Sequence, residues 1–188
     1  VLIPRQDTEC LGEEVLKKVK PENHILDVCT GSGCIIISAQ KLMKDRCHCF
    51  ATDISEEALK VARQNAEHLD ADVTFWQGDL FESVDGRFDC IVSNPPYISE
   101  TEYRQLSPLV REYEPPLALL AGAKGLDVYE RLIMQADDCL KVGGWLGLEI
   151  GSTQAQDVMR LLRQAGLKEI GMKEDLSGLP RVVHGRKG

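Results

Sequence analysis

The chain lacks the features that mark membrane, zinc-binding and polyanion-binding proteins. No apolar run is long enough to span a membrane, and no signal peptide opens the chain. The seven cysteines include no Cys-x-x-Cys pair and the four histidines are scattered, so the ligand spacing of a zinc site is missing. With 22 Lys and Arg against 30 Asp and Glu, the net charge is −8, which disfavours a broad phosphate-binding surface. We therefore expect no resident metal, no membrane association and no direct nucleic acid contact.

Length and composition indicate one globular α/β domain that spans residues 1–188. Hydrophobic residues make up 43% of the chain and charged residues 28%, which is ordinary for a globular protein. The cysteines are odd in number and several fall in predicted buried strands, which favours a reducing, cytoplasmic environment. The first residue is Val1 rather than Met, so we expect a piece of a longer protein.

Strand-like and helix-like segments alternate along the sequence. Strands are predicted at residues 24–29, 47–53, 73–77, 88–93, 144–150, 167–174 and 181–186, and helices at residues 8–20, 34–45, 56–69, 126–140 and 153–165. Asp7 or Thr8 is expected to cap the first helix and Ser55 the third. The alternation predicts a doubly wound, mostly parallel sheet that ends in an antiparallel hairpin, with ligands bound at the carboxyl ends of the strands.

Two segments lie outside this regular pattern. Residues 1–22 are expected to form an entry segment and an N-terminal helix. Residues 97–122 contain prolines and no clear periodicity, so we predict an irregular insertion on the substrate side of the domain.

A glycine turn and three acids indicate a nucleoside pocket. Thr30, Gly31, Ser32 and Gly33 follow the first strand and precede a helix, an arrangement that brings the backbone close to a ligand. The pyrophosphate-binding pattern would need a third glycine where Ile36 stands, which disfavours a dinucleotide.

The three acids follow successive strands. Asp27 precedes the turn and is placed to face an amine, Asp53 ends the second strand and is placed to bind ribose hydroxyls, and Asp79 is placed to accept from an adenine amine. Each acid alone is also typical of a capping or solvated residue. Together they favour an adenosine that carries a cationic group instead of phosphates.

A double-proline turn follows the fourth strand. Asn94, Pro95, Pro96 and Tyr97 come directly after residues 88–93, and neither proline has an N–H to extend the sheet. Asn94 Oδ1 and a backbone carbonyl can each accept one hydrogen of a planar, uncharged NH2 group. An ordinary Asn-Pro turn remains the alternative if no cofactor binds upstream.

These motifs together resemble the class I S-adenosylmethionine-dependent methyltransferases, which have a Rossmann-like α/β fold with a seven-stranded sheet. The Asn-Pro-Pro-Tyr turn is similar to that of enzymes that methylate planar NH2 nitrogens. The resemblance implies S-adenosyl-L-methionine as cofactor and S-adenosyl-L-homocysteine as product. The predicted catalytic residues are Asn94, Pro95, Pro96 and Tyr97. The predicted cofactor-binding residues are Asp27, Cys29, Thr30, Gly31, Ser32, Gly33, Asp53, Ile54, Asp79, Leu80 and Asn94.

Further motifs resemble the release-factor glutamine methyltransferases (the HemK/PrmC family) over essentially the whole chain. They are found at residues 3–9, 114–119, 148–151 and 175–183. The resemblance implies methylation of the glutamine side chain in the Gly-Gly-Gln loop of peptide-chain release factors. The family usually has a proline where Gln6 stands and a glycine where Cys29 stands, and it carries an N-terminal helical domain, after which this chain is expected to begin. We therefore expect a catalytic domain alone, with a release factor as its protein substrate.

Two alternatives remain open at this point. A DNA or RNA amino-methyltransferase would use the same Asn-Pro-Pro-Tyr turn on a flipped base, but the acidic balance disfavours it. A non-catalytic subunit that binds S-adenosylmethionine is the other alternative, and the intact Asn94 and Tyr97 count against it.

Overall fold

The computed structural model describes residues 6–44 and 46–188. The predicted entry segment at residues 1–5, and any capping role of the Asp7 side chain, lie outside this description, as does the side chain of Gln6. In the part of the chain that is described, no helix is both long and apolar enough to cross a membrane.

Among the described residues, seven strands and seven α-helices largely alternate, close to the predicted positions. The strands are β1 (His24–Val28), β2 (His48–Asp53), β3 (Val73–Gln77), β4 (Phe88–Ser93), β5 (Leu140–Glu149), β6 (Lys168–Glu174) and β7 (Pro180–Arg186). The helices are α1 (Gln6–Lys18), α2 (Cys34–Leu42), α3 (Glu56–His68), α4 (Glu100–Gln105), α5 (Pro108–Tyr113), α6 (Asp127–Cys139) and α7 (Ala155–Gln164), with a short 3-10 helix at Pro116–Ala118.

The strands form one sheet in the order β3-β2-β1-β4-β5-β7-β6. The first five strands are parallel, and β7 lies antiparallel between β5 and β6. The predicted mostly parallel sheet with a terminal antiparallel hairpin is confirmed. Strand order reverses between β1 and β4, so the crevice at their carboxyl ends is the topological switch point where ligands bind in such folds.

Helices cover both faces of the sheet, which explains why the central strands are apolar on both sides. Along β1, Ile25 packs with α1 and α2, whereas Leu26 and Val28 pack with α6 and α7 on the opposite face. Each of these three side chains is fully buried. The two buried clusters hold β1 and β4 rigidly in the middle of the domain, and this fixes the position of the turns that follow them.

The segment predicted as irregular at residues 97–122 is in fact largely helical, so that prediction was wrong in detail. It contains α4, α5 and the 3-10 helix. Ser99 caps α4 through a capping box with Glu102, and Ser107 accepts from the backbone N–H of Val110 ahead of α5. Each helix has only six residues, too few to show a hydrophobic period. The Ser-x-x-Glu spacing at residues 99–102 was the available sequence signal.

Several predicted boundaries were shifted by a few residues. Helix α1 begins at Gln6, so Thr8 is a residue of its first turn and not its cap. Helix α2 ends at Leu42 rather than near residue 45, and Lys44 has a left-handed φ of 55°. Strand β5 begins at Leu140, directly after α6, because Leu140 pairs with Phe88 in the sheet. Ser55 caps α3 as predicted, accepting from the backbone N–H of Ala58.

Candidate functional site

A cavity of about 180 Å³ opens at the carboxyl ends of β1, β2 and β4. Its walls come from the glycine turn after β1, the end of β2 with the start of α3, the turn after β4, and the 3-10 helix of the insertion. The predicted site residues that line it are Cys29, Thr30, Gly31, Ser32, Asp53, Ile54, Asn94 and Pro96. Three separate sequence motifs therefore meet at one place, as expected for a switch-point crevice.

The glycine turn is held to β2 by backbone and side-chain hydrogen bonds. The Thr30 N–H donates to the Thr52 carbonyl at 2.9 Å, and the Gly31 N–H donates to Asp53 Oδ2 at 2.8 Å. Gly33 has a φ of 79°, and a Cβ there would come within 2.8 Å of the Ile37 side chain. The left-handed φ therefore favours glycine at this position, and Gly33 does not line the cavity.

Asp53 is fixed at the end of β2 with both carboxylate oxygens engaged by the backbone. Oδ2 accepts from Gly31 and Oδ1 accepts from the N–H of Ser55 at 2.9 Å. Each carboxylate oxygen keeps further acceptor capacity toward the cavity. The arrangement suits a neighbouring pair of hydroxyl donors, such as those of a ribose.

Asp27 is completely buried behind the glycine turn. Its Oδ2 accepts from the Thr30 hydroxyl at 2.7 Å, whereas Oδ1 has no hydrogen-bond partner among the described residues. Burial raises the pKa of Asp27 to about 7, although the Thr30 hydrogen bond opposes the shift. An unpaired buried acceptor of this kind is costly unless a donor satisfies it. Asp27 does not line the cavity, and its role in binding the ammonium group of the cofactor stays a prediction.

Cys29 occupies a backbone conformation that favours glycine. Its φ is 59°, in the left-handed region that side chains with a Cβ rarely adopt. Burial raises the pKa of the thiol to about 12, and the neighbouring Asp53 carboxylate adds to the shift. The thiol is therefore protonated at neutral pH and acts as an apolar part of the cavity wall.

Asn94 stands at the boundary between the main cavity and a second, smaller one of about 20 Å³. Its Nδ2 donates to Thr8 Oγ1 at 3.4 Å, which leaves Oδ1 as the acceptor of the amide. Pro95 and Tyr97 line the smaller cavity, and the two cavities share Thr8, Asn94 and Ala118. A reacting group on either side of Asn94 would thus be close to the other cavity.

Asp79 and Leu80 were predicted to bind the cofactor, but the structure does not bring them into the cavity wall. The Asp79 carboxylate pairs with Arg131 on α6, with Oδ2 and Nη2 separated by 2.6 Å. Leu80 is buried and its carbonyl accepts from the Thr52 hydroxyl at 3.0 Å. A cofactor role for these two residues stays a prediction.

Some residues of the site were not predicted. They are Thr8 from α1, Cys34 and Ile35 from α2, Ser55, Glu57 and Ala58 at the start of α3, and Pro115, Leu117 and Ala118 from the insertion. The residues on α2 and α3 directly follow the glycine turn and the end of β2, so their sequence positions could have predicted that they line the cavity. Thr8 and residues 115–118 lie in motifs of the family resemblance, but no spacing rule connects them to the glycine turn.

The described residues hold no group of three or more His, Cys, Asp or Glu side chains placed to bind a metal ion.

The chain is similar to known methyltransferases. The model of the methyltransferase small domain matches residues 7–112. The chain is 42% identical over 189 residues to a release factor glutamine methyltransferase from Geobacter sulfurreducens, covering 100% of this chain and 66% of that protein. It is 44% identical over 191 residues to the enzyme of that name from Koribacter versatilis, covering 100% of this chain and 67% of that protein. The chain thus spans about two thirds of the length of these relatives.

Solved structures show the same fold. A ribosomal protein L11 methylase from Lactobacillus delbrueckii subsp. bulgaricus superposes with a TM-score of 0.70 at 26% identity, covering 98% of this chain and 81% of that chain. A 16S rRNA methyltransferase from T. thermophilus, in complex with AdoMet and guanosine, has a TM-score of 0.69 at 16% identity and covers 100% of this chain and 44% of that chain. The methyltransferase domain model matches residues 7–112, and the two release factor glutamine methyltransferases match the whole of this chain. The chain therefore belongs to the release factor glutamine methyltransferase family, whose cofactor is S-adenosylmethionine.

Proposed function

We propose that this chain transfers a methyl group from S-adenosylmethionine to the side-chain amide nitrogen of the glutamine in the Gly-Gly-Gln loop of a peptide-chain release factor. The observation that carries the proposal is the position of Asn94, whose Oδ1 is an acceptor at the junction of the two cavities. Family membership and the names of the relatives supply the substrate class.

The two prolines of the turn after β4 offer carbonyl acceptors and no N–H donors where an amide NH2 would enter. Pro95 and Pro96 have no N–H, and Asn94 Nδ2 is already directed to Thr8. Asn94 Oδ1 and the Pro95 carbonyl would accept the two hydrogens of the substrate NH2 group. These two hydrogen bonds would direct the nitrogen lone pair, which is perpendicular to the amide plane, toward the larger cavity.

Orientation is the main contribution that such a site makes to the reaction. The amide nitrogen is a poor nucleophile because its lone pair is delocalised into the carbonyl, so in-line placement matters. The same two acceptors offset positive charge that develops on the nitrogen as it is methylated. The cofactor supplies an electrophilic sulfonium methyl group when bound.

No side chain is needed as a general base. The methylated amide nitrogen is strongly acidic, so its proton leaves to water after the new bond has formed. Cys29, the thiol in the wall, is buried and protonated, so it is unsuited to accept that proton.

The cofactor would be held by the residues that line or support the larger cavity. Asp53 would accept hydrogen bonds from the ribose hydroxyls, and the glycine turn would let the backbone approach the cofactor closely. Asp27, which is buried behind that turn and has an Oδ1 with no partner in the described part of the chain, would bind the ammonium group.

The insertion at residues 97–122 is proposed to receive the substrate loop. Its 3-10 helix contributes Leu117 and Ala118 to the larger cavity, and Ala118 also lines the smaller one. Leu109, Tyr113 and Leu117 are exposed apolar side chains of the same insertion. Exposed apolar side chains on a chain with a net charge of −8 suit a protein better than a bare nucleic acid as the bound macromolecule.

The test compares substrates in one assay. Transfer of a labelled methyl group to purified release factor is measured beside a release factor whose loop glutamine is replaced by alanine, and beside an adenine-containing oligonucleotide. We expect labelling of the intact release factor alone. Labelling of the oligonucleotide instead would indicate a nucleic acid methyltransferase, and cofactor binding without transfer to either would indicate a non-catalytic subunit.

A further inference from the structure

We infer that Gln154 is a positioning residue that holds the Asn94–Tyr97 turn through the Tyr97 carbonyl. The inference rests on the function proposed above for that turn. Gln154 lines neither the larger nor the smaller cavity, so it acts on the reacting groups only through Tyr97.

The Gln154 side chain joins three separate segments. Its Nε2 donates to the Tyr97 carbonyl at 2.9 Å and to the Gly125 carbonyl at 3.1 Å. Its Oε1 accepts from the Gly151 N–H at 3.1 Å. Both ends of the carboxamide are therefore bonded to main-chain atoms, in the turn after β4, the turn before α6 and the turn after β5.

The turn after β4 needs an anchor from outside itself. The parallel pairing of β4 with β5 ends at Ser93, opposite Leu148, and the two prolines that follow have no N–H for a ladder. Beyond the turn, the Ile98 N–H donates to the Leu119 carbonyl at 2.8 Å. Gln154 supplies a further fixed point, on the Tyr97 carbonyl itself.

The backbone around Gln154 is packed closely enough to require glycine. Gly125 has a φ of 71°, and a Cβ there would lie 2.3 Å from the Tyr97 carbonyl oxygen. A Cβ on Gly151 would lie 2.7 Å from Gln154 Oε1 and 3.4 Å from Tyr97 Cδ2. Such close approach leaves little freedom for the Tyr97 peptide group as long as the Gln154 hydrogen bonds are made.

The consequence for catalysis follows from the position of Tyr97. Tyr97 lines the smaller cavity and is the last residue of the turn that begins at Asn94. A shift of its carbonyl would rotate the turn and displace the Pro95 carbonyl and Asn94 Oδ1 relative to the larger cavity. We call the hydrogen bonds from Gln154 Nε2 to the Tyr97 and Gly125 carbonyls the clamp. Because small misplacements of reacting groups cost large factors in rate, loss of the clamp should lower the rate of methyl transfer and leave cofactor binding unchanged.

The first experiment replaces the donor of the clamp. Gln154→Glu keeps the size and the Oε1 acceptor but presents a carboxylate oxygen to the Tyr97 and Gly125 carbonyls. Gln154→Met has similar length, removes the polar atoms and buries no charge. Gln156→Glu is the matched control, because it places the same new charge on an exposed residue in the first turn of the same helix.

Transfer to release factor is measured at saturating substrate and cofactor, and each rate is divided by the number of cofactor-binding sites found by calorimetry. We expect Gln154→Glu and Gln154→Met to lower this rate about tenfold to a hundredfold. The cofactor dissociation constant should stay at the wild-type value, and Gln156→Glu should behave as wild type. Dividing by the binding sites removes any loss that is due only to unfolded protein.

A pH series separates the clamp from a purely structural role. In the Gln154→Glu variant the introduced carboxyl group regains one O–H donor when it is protonated. The ratio of variant to wild-type rate should therefore rise as the pH is lowered from about 8 toward about 5, near the ordinary pKa of a glutamate. The Gln154→Met variant has no titratable group and should show a constant ratio.

The outcomes are distinguishable. If wild-type protein does not methylate release factor, the proposed function fails and the inference fails with it. If wild type is active and both Gln154 variants lose only binding sites, with an unchanged rate per site, Gln154 is merely structural and the inference is overturned. A lowered rate per site that recovers at low pH in the Glu variant alone supports it.

Discussion

The side-chain amide of Asn94 donates to the hydroxyl of Thr8 across a sequence separation of 86 residues. Thr8 lies in the first turn of α1, and Asn94 follows the last residue of β4. In this contact the amide nitrogen of Asn94 faces Thr8, and Oδ1 is the end that can accept a hydrogen bond from substrate. The first helix of the chain thus contacts, and helps to orient, the Asn94 carboxamide at the end of a central strand.

Thr8→Val should slow methyl transfer about fivefold to tenfold, because a lost hydrogen bond of about 1 kcal/mol lets the Asn94 amide rotate. Valine has nearly the shape of threonine, so packing of α1 is kept. Thr8→Ser retains the hydroxyl and is the control. Single-turnover rates measure the effect, and equal rates for Thr8→Val and wild type would show that Thr8 does not orient Asn94.

Asn94→Ala should abolish most transfer, by about a hundredfold or more, because it removes the acceptor that orients the substrate nitrogen. The cofactor should still bind with about the wild-type affinity. Transfer is measured with labelled cofactor and binding by calorimetry. Near-normal transfer by this variant would refute the hydrogen-bonding role of Asn94.

Asp53→Ala should weaken cofactor binding by at least about tenfold, because charge-assisted hydrogen bonds are among the strong ones. The variant also frees the Gly31 and Ser55 N–H groups that Asp53 now holds. Asp53→Asn keeps one acceptor oxygen and should give an intermediate affinity. Calorimetric titration with the cofactor provides the measurement, and an unchanged dissociation constant would remove Asp53 from the site.

Asp27 should make both stability and cofactor affinity depend on pH. Burial raises its pKa in the folded protein to about 7, above the ordinary value of 3.8, so the folded state binds more protons than the unfolded state between these values. The free energy of unfolding of the cofactor-free protein should therefore fall as the pH rises through this window. Denaturant unfolding at several pH values measures this change in the free energy of unfolding.

Cofactor affinity should follow the opposite trend, because an ammonium group is attracted to the ionised carboxylate of Asp27. We expect affinity to rise about tenfold between pH 6 and pH 8, with proton release on binding. Asp27→Asn should remove this rise. Calorimetry in buffers of different ionisation enthalpy detects the released proton, and a pH-independent wild-type affinity would contradict the assignment.

Cys29→Gly should stabilise the cofactor-free protein by about 1 kcal/mol, because glycine adopts a left-handed φ of 59° at little cost. Cys29→Ala keeps a Cβ in the same conformation and serves as the control. The free energy of unfolding is measured in denaturant. If Cys29→Gly and Cys29→Ala had the same free energy of unfolding, relief of backbone strain at residue 29 would not explain any gain in stability.

The strand ends were predictable because each motif contains its own physical signal. A buried strand followed by Gly-x-Gly or by Asn-Pro-Pro-Tyr indicates a turn at the edge of a parallel sheet, and Asn94, Asp53 and Gly31 all lie there. The helices of the insertion escaped prediction because six-residue helices have almost no period. Asp79 has the same type of strand-end signal, yet its carboxylate pairs with Arg131 from α6.

Local sequence patterns were enough to predict the alternation of strands and helices, the parallel sheet, and the glycine and proline turns at its carboxyl edge. These follow from local hydrophobic periodicity and from the limited φ and N–H chemistry of glycine and proline. The contacts of Thr8 with Asn94 and of Gln154 with Tyr97 became visible in the folded chain alone. Such contacts depend on how helices and turns pack across the sheet, and no spacing along the chain records that packing.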